Sequence, residues 1–272
     1  MTSKTSTDQT VSTWDDRIAL RFKVIGSGPP LVYLHPAGGL VWDEFLDRLS
    51  ESYEVYAPYL PGTAPGDSFA IHQIDDIFDV VLAYEGALRA LGVLGAPVVG
   101  QSFGGMLAAE LAAVFPSLFG RVVLLDPAGL WTKENPWTLD FMSAPPDQLP
   151  GLLFDDPDAE GVRAMYPIPA STDEAVASAV SSIWALGCAG KFLWPVPDRG
   201  LSKRLHRITA PTLIMWGEND RLIPVAYAHY YGERIINSTV QIVPNCGHVP
   251  QVERTDVTLA SVLTFLSDGV AK

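Results

Sequence analysis

A serine near the middle of the chain stands between two glycines, in the stretch VVGQSFGGM at residues 98–106. An apolar segment typical of a strand precedes Ser102, and an alanine-rich segment typical of a helix follows it. Gly-x-Ser-x-Gly at such a junction is typical of a nucleophile elbow, a tight turn that exposes the serine hydroxyl at the carboxyl edge of a sheet. Side chains at Gly100 and Gly104 would collide with the neighbouring strand or helix, which explains both glycines.

A serine hydroxyl becomes an effective nucleophile when a base removes its proton and a carboxylate orients that base. Two later strands end in candidates for these roles. The strand PTLIMWG is followed by Asp220, and the strand TVQIVPN is followed by His248. The order serine, acid, histidine is the one expected for a serine on an elbow of this kind. We therefore predict a catalytic triad of Ser102, Asp220 and His248.

Other residues compete for the acid and base roles. Asp126 directly follows the strand after the elbow, and Glu218 lies two residues before Asp220, so both remain candidates for the acid. His35 ends an early strand, where it is expected to hold the adjacent loop by hydrogen bonds. The remaining histidines, interpreted as surface residues, are His72, His206 and His229.

Acyl transfer through a serine also needs N–H groups that stabilise a negatively charged oxygen. The N–H of Phe103, at the start of the predicted helix, is one candidate. The second is expected from the loop after the early strand LVYLH, which reads HPAGG at residues 35–39. Pro36 has no N–H, so we predict Ala37 as the second donor, with the two glycines that follow allowing the chain to turn close to the site.

Short apolar strands alternate with helices along most of the chain, which indicates a parallel sheet covered by helices on both faces. The predicted strands are 18–26, 31–35, 53–56, 97–101, 121–126, 211–217 and 239–245. The predicted helices are 42–51, 74–91, 103–115, 173–191, 225–235 and 256–267. The polar stretch MTSKTSTDQTVSTWDDR at residues 1–17 is predicted to be a short mobile leader.

The alternation breaks down over residues 131–206, which are rich in proline and aromatic residues. We interpret this segment as an inserted lid, and residues 1–130 and 207–272 as the two parts of one core domain. Its aromatic residues include Trp131, Trp137, Phe141, Trp184, Phe192 and Trp194. Trp131, Trp184 and Trp194, together with Val249 beside the histidine, are predicted to line an apolar substrate pocket. Lys191 and Arg199 are expected to be solvated.

Composition excludes several classes of partner. The 272 residues include 31 acidic and 18 basic side chains, and the net charge of -13 disfavours binding to nucleic acid or an anionic membrane. Two cysteines imply no disulfide framework, which favours a reducing compartment, the cytoplasm. No secretory signal or membrane span is apparent in the sequence.

The elbow GQSFGG at residues 100–105, the positions of Asp220 and His248, and the HPAGG loop together resemble the α/β-hydrolase superfamily over about residues 17–268. The resemblance implies an α/β-hydrolase fold with an eight-stranded, mostly parallel sheet and a lid inserted after the sixth strand. It implies no metal and no organic cofactor. A serine at the elbow excludes the branches that use an aspartate nucleophile.

Within the superfamily, CGHVPQVE at residues 246–253 resembles the meta-cleavage-product hydrolases, which break carbon–carbon bonds and often read CGHWAQWE. Val249 replaces a tryptophan of that branch, Gln101-Ser102-Phe103 replaces Asn-Ser-Met, and HPAGG replaces HG followed by further glycines. The esterase branch accepts more variation at these positions.

Together these features predict a serine carboxylesterase for small to medium hydrophobic esters, acting through an acyl-enzyme. Two alternatives stay open. One is a carbon–carbon bond hydrolase of vinylogous diketo acids that uses the same triad. The other is a ligand-binding, receptor-like protein that retains the triad with little turnover.

Overall fold

The computed structural model describes residues 6–137, 144, 148–165, 169–194 and 198–268. Within them, eight strands form one sheet: β1 Ser6–Thr13, β2 Ile18–Gly26, β3 Pro30–Leu34, β4 Glu54–Pro58, β5 Val98–Gln101, β6 Val122–Leu125, β7 Thr212–Gly217 and β8 Ser238–Val243. Their spatial order is β1-β2-β4-β3-β5-β6-β7-β8. β2 is antiparallel to both of its neighbours, and the remaining pairs are parallel. The predicted mostly parallel, eight-stranded α/β sheet is confirmed.

The helices in this part of the chain are α1 Glu44–Leu49, α2 Ile77–Ala90, α3 Phe103–Val114, α4 Leu149–Leu153, α5 Glu160–Met165, α6 Thr172–Leu193, α7 Ala226–Arg234, α8 Pro250–Glu253 and α9 Thr255–Ser267. Short 3₁₀ turns cover Ala70–Gln73, Leu201–Lys203 and Leu205–Arg207. The six predicted helices are confirmed with shifted ends, because capping side chains such as Asp76 fix where a helix begins. The short helices α4, α5 and α8 were not predicted.

Strand side chains alternate between two buried faces, which explains why the central strands are almost entirely apolar. In β3, Val32 and Leu34 pack in the cluster that contains α2 and α3. The intervening Leu31 and Tyr33 pack in the cluster that contains α1 and α9. The sheet is therefore covered on both faces, and the ends of its strands are the places where polar side chains can be exposed.

The prediction of a mobile leader is wrong for β1. This strand pairs along its whole length with β2, from Ser6 opposite Ile25 to Thr13 opposite Ile18. Its side chains alternate between exposed and half-buried, and Val11 packs against the core. An edge strand with one solvated face needs few apolar residues, so hydrophobicity alone did not reveal it.

Helix α6 is the one described helix that is long and apolar enough to cross a membrane by length and composition. The sequence had suggested no such segment. A single helix of this kind is weak evidence for a membrane span, since helices in the core of a protein have the same composition. The C-terminal part of α6, including Cys188, Phe192 and Leu193, is buried in the larger hydrophobic cluster of the protein.

The first turn of α3 lies directly against the end of β3. A Cβ atom built on Gly104 would lie 2.0 Å from the carbonyl oxygen of Leu34, and one on Gly100 would lie 2.4 Å from that of Gly104. Both distances are far inside van der Waals contact. The two glycines of the elbow therefore allow strand and helix to approach more closely than any other residue would.

His35 holds the loop that follows β3. Its Nδ1 lies 2.7 Å from the carbonyl oxygen of Pro36, and its Nε2 lies 3.0 Å from the backbone nitrogen of Leu60. A carbonyl can only accept, so Nδ1 carries the proton and Nε2 accepts from the N–H of Leu60. Burial lowers the pKa of His35 to about 4, so the ring is neutral around neutral pH. This arrangement supports the predicted loop-holding role.

Replacement of Gly104 tests the contact between α3 and β3. Gly104→Ala should lower the free energy of unfolding by about 3 kcal/mol, because the backbone of Leu34 cannot yield to a methyl group at this distance. Gly187→Ala in α6 is the matched control, since nothing lies within 4 Å of its added Cβ. That variant should be about as stable as the wild type, or more stable by roughly 0.5–1 kcal/mol. Urea denaturation measures both, and equal stabilities would contradict the steric argument.

His35→Gln tests the neutral imidazole. The ring of His35 stays neutral in the native state down to a pH of about 4, whereas in the unfolded chain it protonates below its usual pKa of 6.5. The stability that comes from the neutral ring is therefore complete above pH 6.5 and is lost as the pH falls through about 4. The full loss amounts to about 3 kcal/mol in the free energy of unfolding. Gln can accept from Leu60 without titrating, so the variant should lack this loss in urea titrations at a series of pH values. His72→Gln, at an exposed position, is the control. An unchanged pH dependence in His35→Gln would contradict the assignment.

Candidate active site

Ser102, Asp220 and His248 meet at one edge of the sheet. They follow β5, β7 and β8, and the carboxyl ends of parallel strands lie at the same edge. Ser102 Oγ lies 2.8 Å from His248 Nε2, and His248 Nδ1 lies 2.7 Å from Asp220 Oδ2. If Asp220 is ionised it can only accept, so Nδ1 carries the imidazole proton and Nε2 is left to accept from the serine hydroxyl.

The backbone of Ser102 has an unusual conformation. Its φ is +53° and its ψ is -114°, a region that residues other than glycine rarely adopt. Hydrogen bonds on both sides fix this turn: the N–H of Ser102 donates to Leu125, and its carbonyl accepts from Met106 and Ala128. The strained turn predicted for the elbow is therefore present, and it directs Oγ toward His248.

Asp220 accepts hydrogen bonds at both oxygens. Oδ1 accepts from the N–H groups of Leu222 and Ile223, at 2.8 and 2.9 Å. Oδ2 accepts from the indole of Trp216, at 3.2 Å, in addition to His248. Four donors on one buried side chain are the pattern expected of a carboxylate held in a fixed orientation.

The two alternative acids occupy different positions. Glu218 is exposed and accepts from the backbone of Asn245. Asp126 is fully buried next to Asp220, and its Oδ1 accepts from the N–H of Gly217 at 2.9 Å. Burial first, and then the charge of Asp220, raise the pKa of Asp126 well above its usual range. The carboxylate hydrogen-bonded to His248 is that of Asp220.

Asp126, Asp220 and His248 also have donor atoms within 4.8 Å of one another, the kind of cluster that can hold a metal ion. Two of these residues are already hydrogen-bonded to each other, through His248 Nδ1 and Asp220 Oδ2. The cluster is therefore explained by the chain of hydrogen bonds that ends at Ser102.

Glu253 holds the loop that carries His248. Its Oε2 accepts from the N–H of Gly247 at 2.6 Å, and its Oε1 accepts from the N–H groups of Asp155 and Asp156 at 2.8 and 2.9 Å. One buried carboxylate thus ties the histidine loop to residues 155–156. No role for Glu253 was predicted from the sequence, although it belongs to the CGHVPQVE motif, and its position in that motif was the available signal.

Further bonds fix the backbone of His248 itself. Gln101 Nε2 donates to the carbonyl of His248 at 2.9 Å, and the N–H of His248 donates to the carbonyl of Leu153 at 2.7 Å. The residue before the candidate nucleophile and the end of α4 therefore both determine where the imidazole lies. Gln101 was identified in the sequence only as a departure from a related motif.

The predicted oxyanion donors, Ala37 and Phe103, lie on two elements that are in contact. Phe103 is the first residue of α3, and Ala37 lies in the loop after β3, both buried. The carbonyl oxygen of His35 would be 2.7 Å from a Cβ on Gly104, so the loop passes close to the first turn of α3. In the described part of the chain, neither N–H donates to a protein acceptor.

The C-terminal half of α6 packs over the elbow and its neighbouring loops. The ring of Phe192 stacks on that of Phe103, with centroids 6.2 Å apart, and the methyl of Ala185 would be 3.3 Å from a Cβ on Gly39. Lys191 is exposed, as expected from the sequence, and its ammonium group also donates to the carbonyl groups of Ile71 and Ile74.

The four residues predicted to line a pocket lie in different surroundings. Trp184 donates its indole N–H to the carbonyl of Gly62 at 2.8 Å. Trp131 is half-buried, and Trp194, at the end of α6, is 48% exposed. Val249 packs in a small cluster formed by Phe154, Val162, Val249 and Val252. Phe141 lies outside the described residues.

An apolar cleft opens one helical turn beyond Ser102. Its apolar walls are formed by Ile77, Met106, Leu130, Trp137, Phe192 and Leu201, and polar residues at it are Glu110, Asp198 and Arg199. Met106 links the cleft to the elbow, because its N–H donates to the carbonyl of Ser102. Trp137 and Phe192, rather than the three predicted tryptophans, are the aromatic residues lining it.

Both cysteines are free and buried. Burial raises the pKa of Cys246, so its thiol is protonated and unreactive around neutral pH. Cys188 and Cys246 pack as small apolar residues in the two large hydrophobic clusters.

Comparisons with known proteins agree with this geometry. The sequence is 27% identical over 266 residues to a 2-hydroxy-6-oxo-6-phenylhexa-2,4-dienoate hydrolase of Burkholderia cepacia, covering 90% of each chain. It is 22% identical over 271 residues to a pimeloyl-[acyl-carrier protein] methyl ester esterase of Aliivibrio fischeri strain MJ11, covering 92% of this chain and 98% of that one. Among solved structures, a membrane phospholipase A superposes with a TM-score of 0.77 at 24% identity, covering 96% of this chain and 86% of that one.

The profile of the alpha/beta hydrolase family matches residues 31–261, which include the elbow and both of its hydrogen-bonded partners. The likeness to solved structures extends over nearly the whole chain. The chain therefore belongs to the alpha/beta hydrolase family and is an enzyme of the hydrolase class.

Proposed function

We propose that this hydrolase is a serine carboxylesterase that cleaves small to medium hydrophobic esters through an acyl-enzyme. The observation that carries the proposal is the continuous hydrogen-bonded chain from Ser102 Oγ through His248 to Asp220, with distances of 2.8 and 2.7 Å. Such a chain converts a weakly nucleophilic hydroxyl into one that can attack a carbonyl group.

In the first half of the reaction, Ser102 Oγ attacks the ester carbonyl carbon while His248 Nε2 takes the hydroxyl proton. The imidazolium then returns that proton to the leaving alcohol, and the C–O bond of the ester breaks. In the second half, His248 activates a water molecule that attacks the acyl-enzyme and releases the carboxylic acid. Asp220 stays ionised throughout, holding the tautomer and stabilising the imidazolium.

The N–H groups of Ala37 and Phe103 are proposed to stabilise the tetrahedral oxyanion. Their support is the close approach of the HPAGG loop to the first turn of α3 and their lack of other acceptors in the described residues. Loss of one such donor typically costs about 10²–10³ in kcat. Residues 131–206 are proposed to act as a lid, because α6 packs on Phe103 and near Gly39 beside the candidate nucleophile.

An uncharged, apolar substrate fits the groups around the site. The cleft one helical turn from Ser102, whose lining includes Met106 and none of the triad residues, is formed mainly by aliphatic and aromatic side chains. Four basic side chains in this region already have hydrogen-bond partners. Lys191 donates to two carbonyl groups, and Arg199, at the cleft, donates to the carbonyl of Trp194. Arg204 is paired with Glu110, and Arg221 donates to Phe154 and Asp155. A substrate carboxylate would have to compete with these partners.

A second candidate reaction is hydrolysis of a carbon–carbon bond in a vinylogous diketo acid. The similarity to the Burkholderia cepacia hydrolase and the CGHVPQVE motif favour it. The departures at Gln101, Phe103 and Val249 and the engaged cations favour the ester. Because both reactions use the same triad, only a comparison of substrates separates them.

Removal of the nucleophile tests the proposal. The wild type should hydrolyse p-nitrophenyl esters of graded chain length, and Ser102→Ala should lower kcat by roughly 10⁴-fold or more. Ser181→Ala, at an exposed position on α6, is the matched control and should retain full activity. Unfolding curves verify that both variants are folded. Full activity of Ser102→Ala would overturn the assignment.

The same assay with a 2-hydroxy-6-oxo-dienoate added to the panel separates the alternatives. Higher kcat/KM for the ester than for the dienoate supports the proposal, and a strong preference for the dienoate would establish the second candidate instead. Tight binding of an apolar ester without turnover would indicate a receptor-like protein.

A matched pair of variants tests which carboxylate orients His248. Asp220→Asn should lower kcat by about 10⁴-fold, because an amide reverses the donor and acceptor pattern that fixes the histidine tautomer. Glu218→Gln makes the same chemical change two residues away, at an exposed side chain, and should leave kcat within about 3-fold of the wild type, because it does not contact His248. Steady-state kinetics of both variants decide the point, and a larger loss in Glu218→Gln would contradict the assignment.

A further inference from the structure

Asp126 is a buried carboxyl group that the proposed mechanism does not use. It directly follows β6, and its backbone φ of +43° is unusual for a residue other than glycine. Its Oδ1 accepts one hydrogen bond, from the N–H of Gly217, at 2.9 Å. Its Oδ2 is buried and receives no hydrogen bond from the described residues. A buried oxygen without a donor is costly if it carries negative charge.

The acid of the candidate triad lies beside this carboxyl group. Asp126, Asp220 and His248 each contribute a polar atom to a cluster in which the atoms lie within 4.8 Å of one another. The side chains of Asp126 and Asp220 are also in hydrogen-bonding proximity, an interaction that requires one of them to be protonated. Two buried carboxylates this close cannot both be ionised at neutral pH without a compensating cation.

The surroundings decide which of the two carries the proton. Asp220 accepts from four donors, whereas Asp126 accepts from one. Hydrogen bonds donated to a carboxylate stabilise its charged form, so the carboxyl group with the single donor, Asp126, is the one expected to hold the proton.

The titratable groups around Asp126 reinforce this assignment. Asp220 approaches from the loop after β7, His248 and Cys246 from the loop after β8, and Glu253 from α8. Two of these groups are carboxylates, and one is a thiol whose pKa is itself raised by burial. His248 is the one neighbour that can become a cation, and its Nδ1 is bonded to Asp220.

We propose that Asp126 is a positioning residue of the candidate triad: a neutral carboxylic acid that donates its proton to Asp220 and holds that carboxylate in line with His248. The catalytic part of this inference rests on the proposed function, whereas the protonation of Asp126 does not. The bond adds a fifth donor to Asp220 while adding no charge. Ionisation of Asp126 at alkaline pH would place a second negative charge beside Asp220 and remove that donor.

Infrared difference spectroscopy tests the proton directly. The spectrum of the wild type at neutral pH should contain the carbonyl stretch of a protonated carboxylic acid, and this band should be absent from Asp126→Asn. Ser102→Ala should keep the band, so this measurement stands even if the protein lacks esterase activity. Absence of the band from the wild type at neutral pH would overturn the proposal.

Kinetics of two variants test the positioning role. Asp126→Asn preserves both a donor toward Asp220 and an acceptor for Gly217, so its kcat/KM at neutral pH should lie within about 3-fold of the wild type. Asp126→Ala removes both and should lose about 10-fold or more, with the loss in kcat. At alkaline pH the activity of the wild type should fall, whereas that of Asp126→Asn should persist.

Two outcomes would contradict the positioning role. One is equal impairment of Asp126→Asn and Asp126→Ala, which would show that a neutral donor does not substitute for the acid. The other is an identical alkaline limb in wild type and Asp126→Asn. Unfolding curves for both variants at neutral pH separate a loss of fold from a loss of positioning: if Asp126→Ala is unfolded, the pH profile of Asp126→Asn decides.

Discussion

The first turn of α3 lies against the carbonyl group of Leu34 with no side chain between them, and much of the site depends on that contact. Gly104 makes it possible. The close approach forces the preceding turn into the conformation seen at Ser102, which sends Oγ out of the sheet toward His248. It also brings the N–H of Phe103 next to the loop of Ala37, where His35 fixes the chain. One steric constraint thus places the hydroxyl and both candidate oxyanion donors.

The other side of the site is organised by buried carboxylates with different hydrogen-bond partners. Asp220 is surrounded by donors and faces the imidazole, Asp126 has a single donor, and Glu253 accepts three backbone N–H groups that join the histidine loop to residues 155–156. Donated hydrogen bonds stabilise the charged form of a carboxyl group, which is why we propose that Asp126, with its single donor, holds a proton. This edge of the sheet can therefore hold several acidic side chains while one of them, Asp220, is hydrogen-bonded to His248.

Most of the framework was predictable because it depends on local patterns. Apolar strands, the glycines around Ser102 and the polar residues after β7 and β8 predicted the sheet, the elbow and the order of the three hydrogen-bonded side chains. β1 was missed because an edge strand with a solvated face is polar, as its largely exposed side chains show. The interaction between Asp126 and Asp220 joins residues far apart in the chain, and no local pattern could reveal it. The aromatic residues of 131–206 were identified, but which of them line the cleft depends on how α6 packs on Phe103.

The central claim is that Ser102 is a nucleophile activated by His248. The most direct measurement is covalent labelling with a fluorophosphonate, followed by mass spectrometry of the digested protein. The account predicts one phosphonyl group per chain, on the peptide that contains Ser102, formed far more slowly in a His248→Ala variant. A protein that remains unlabelled, or that is labelled on a different residue at the same rate in both forms, would contradict it.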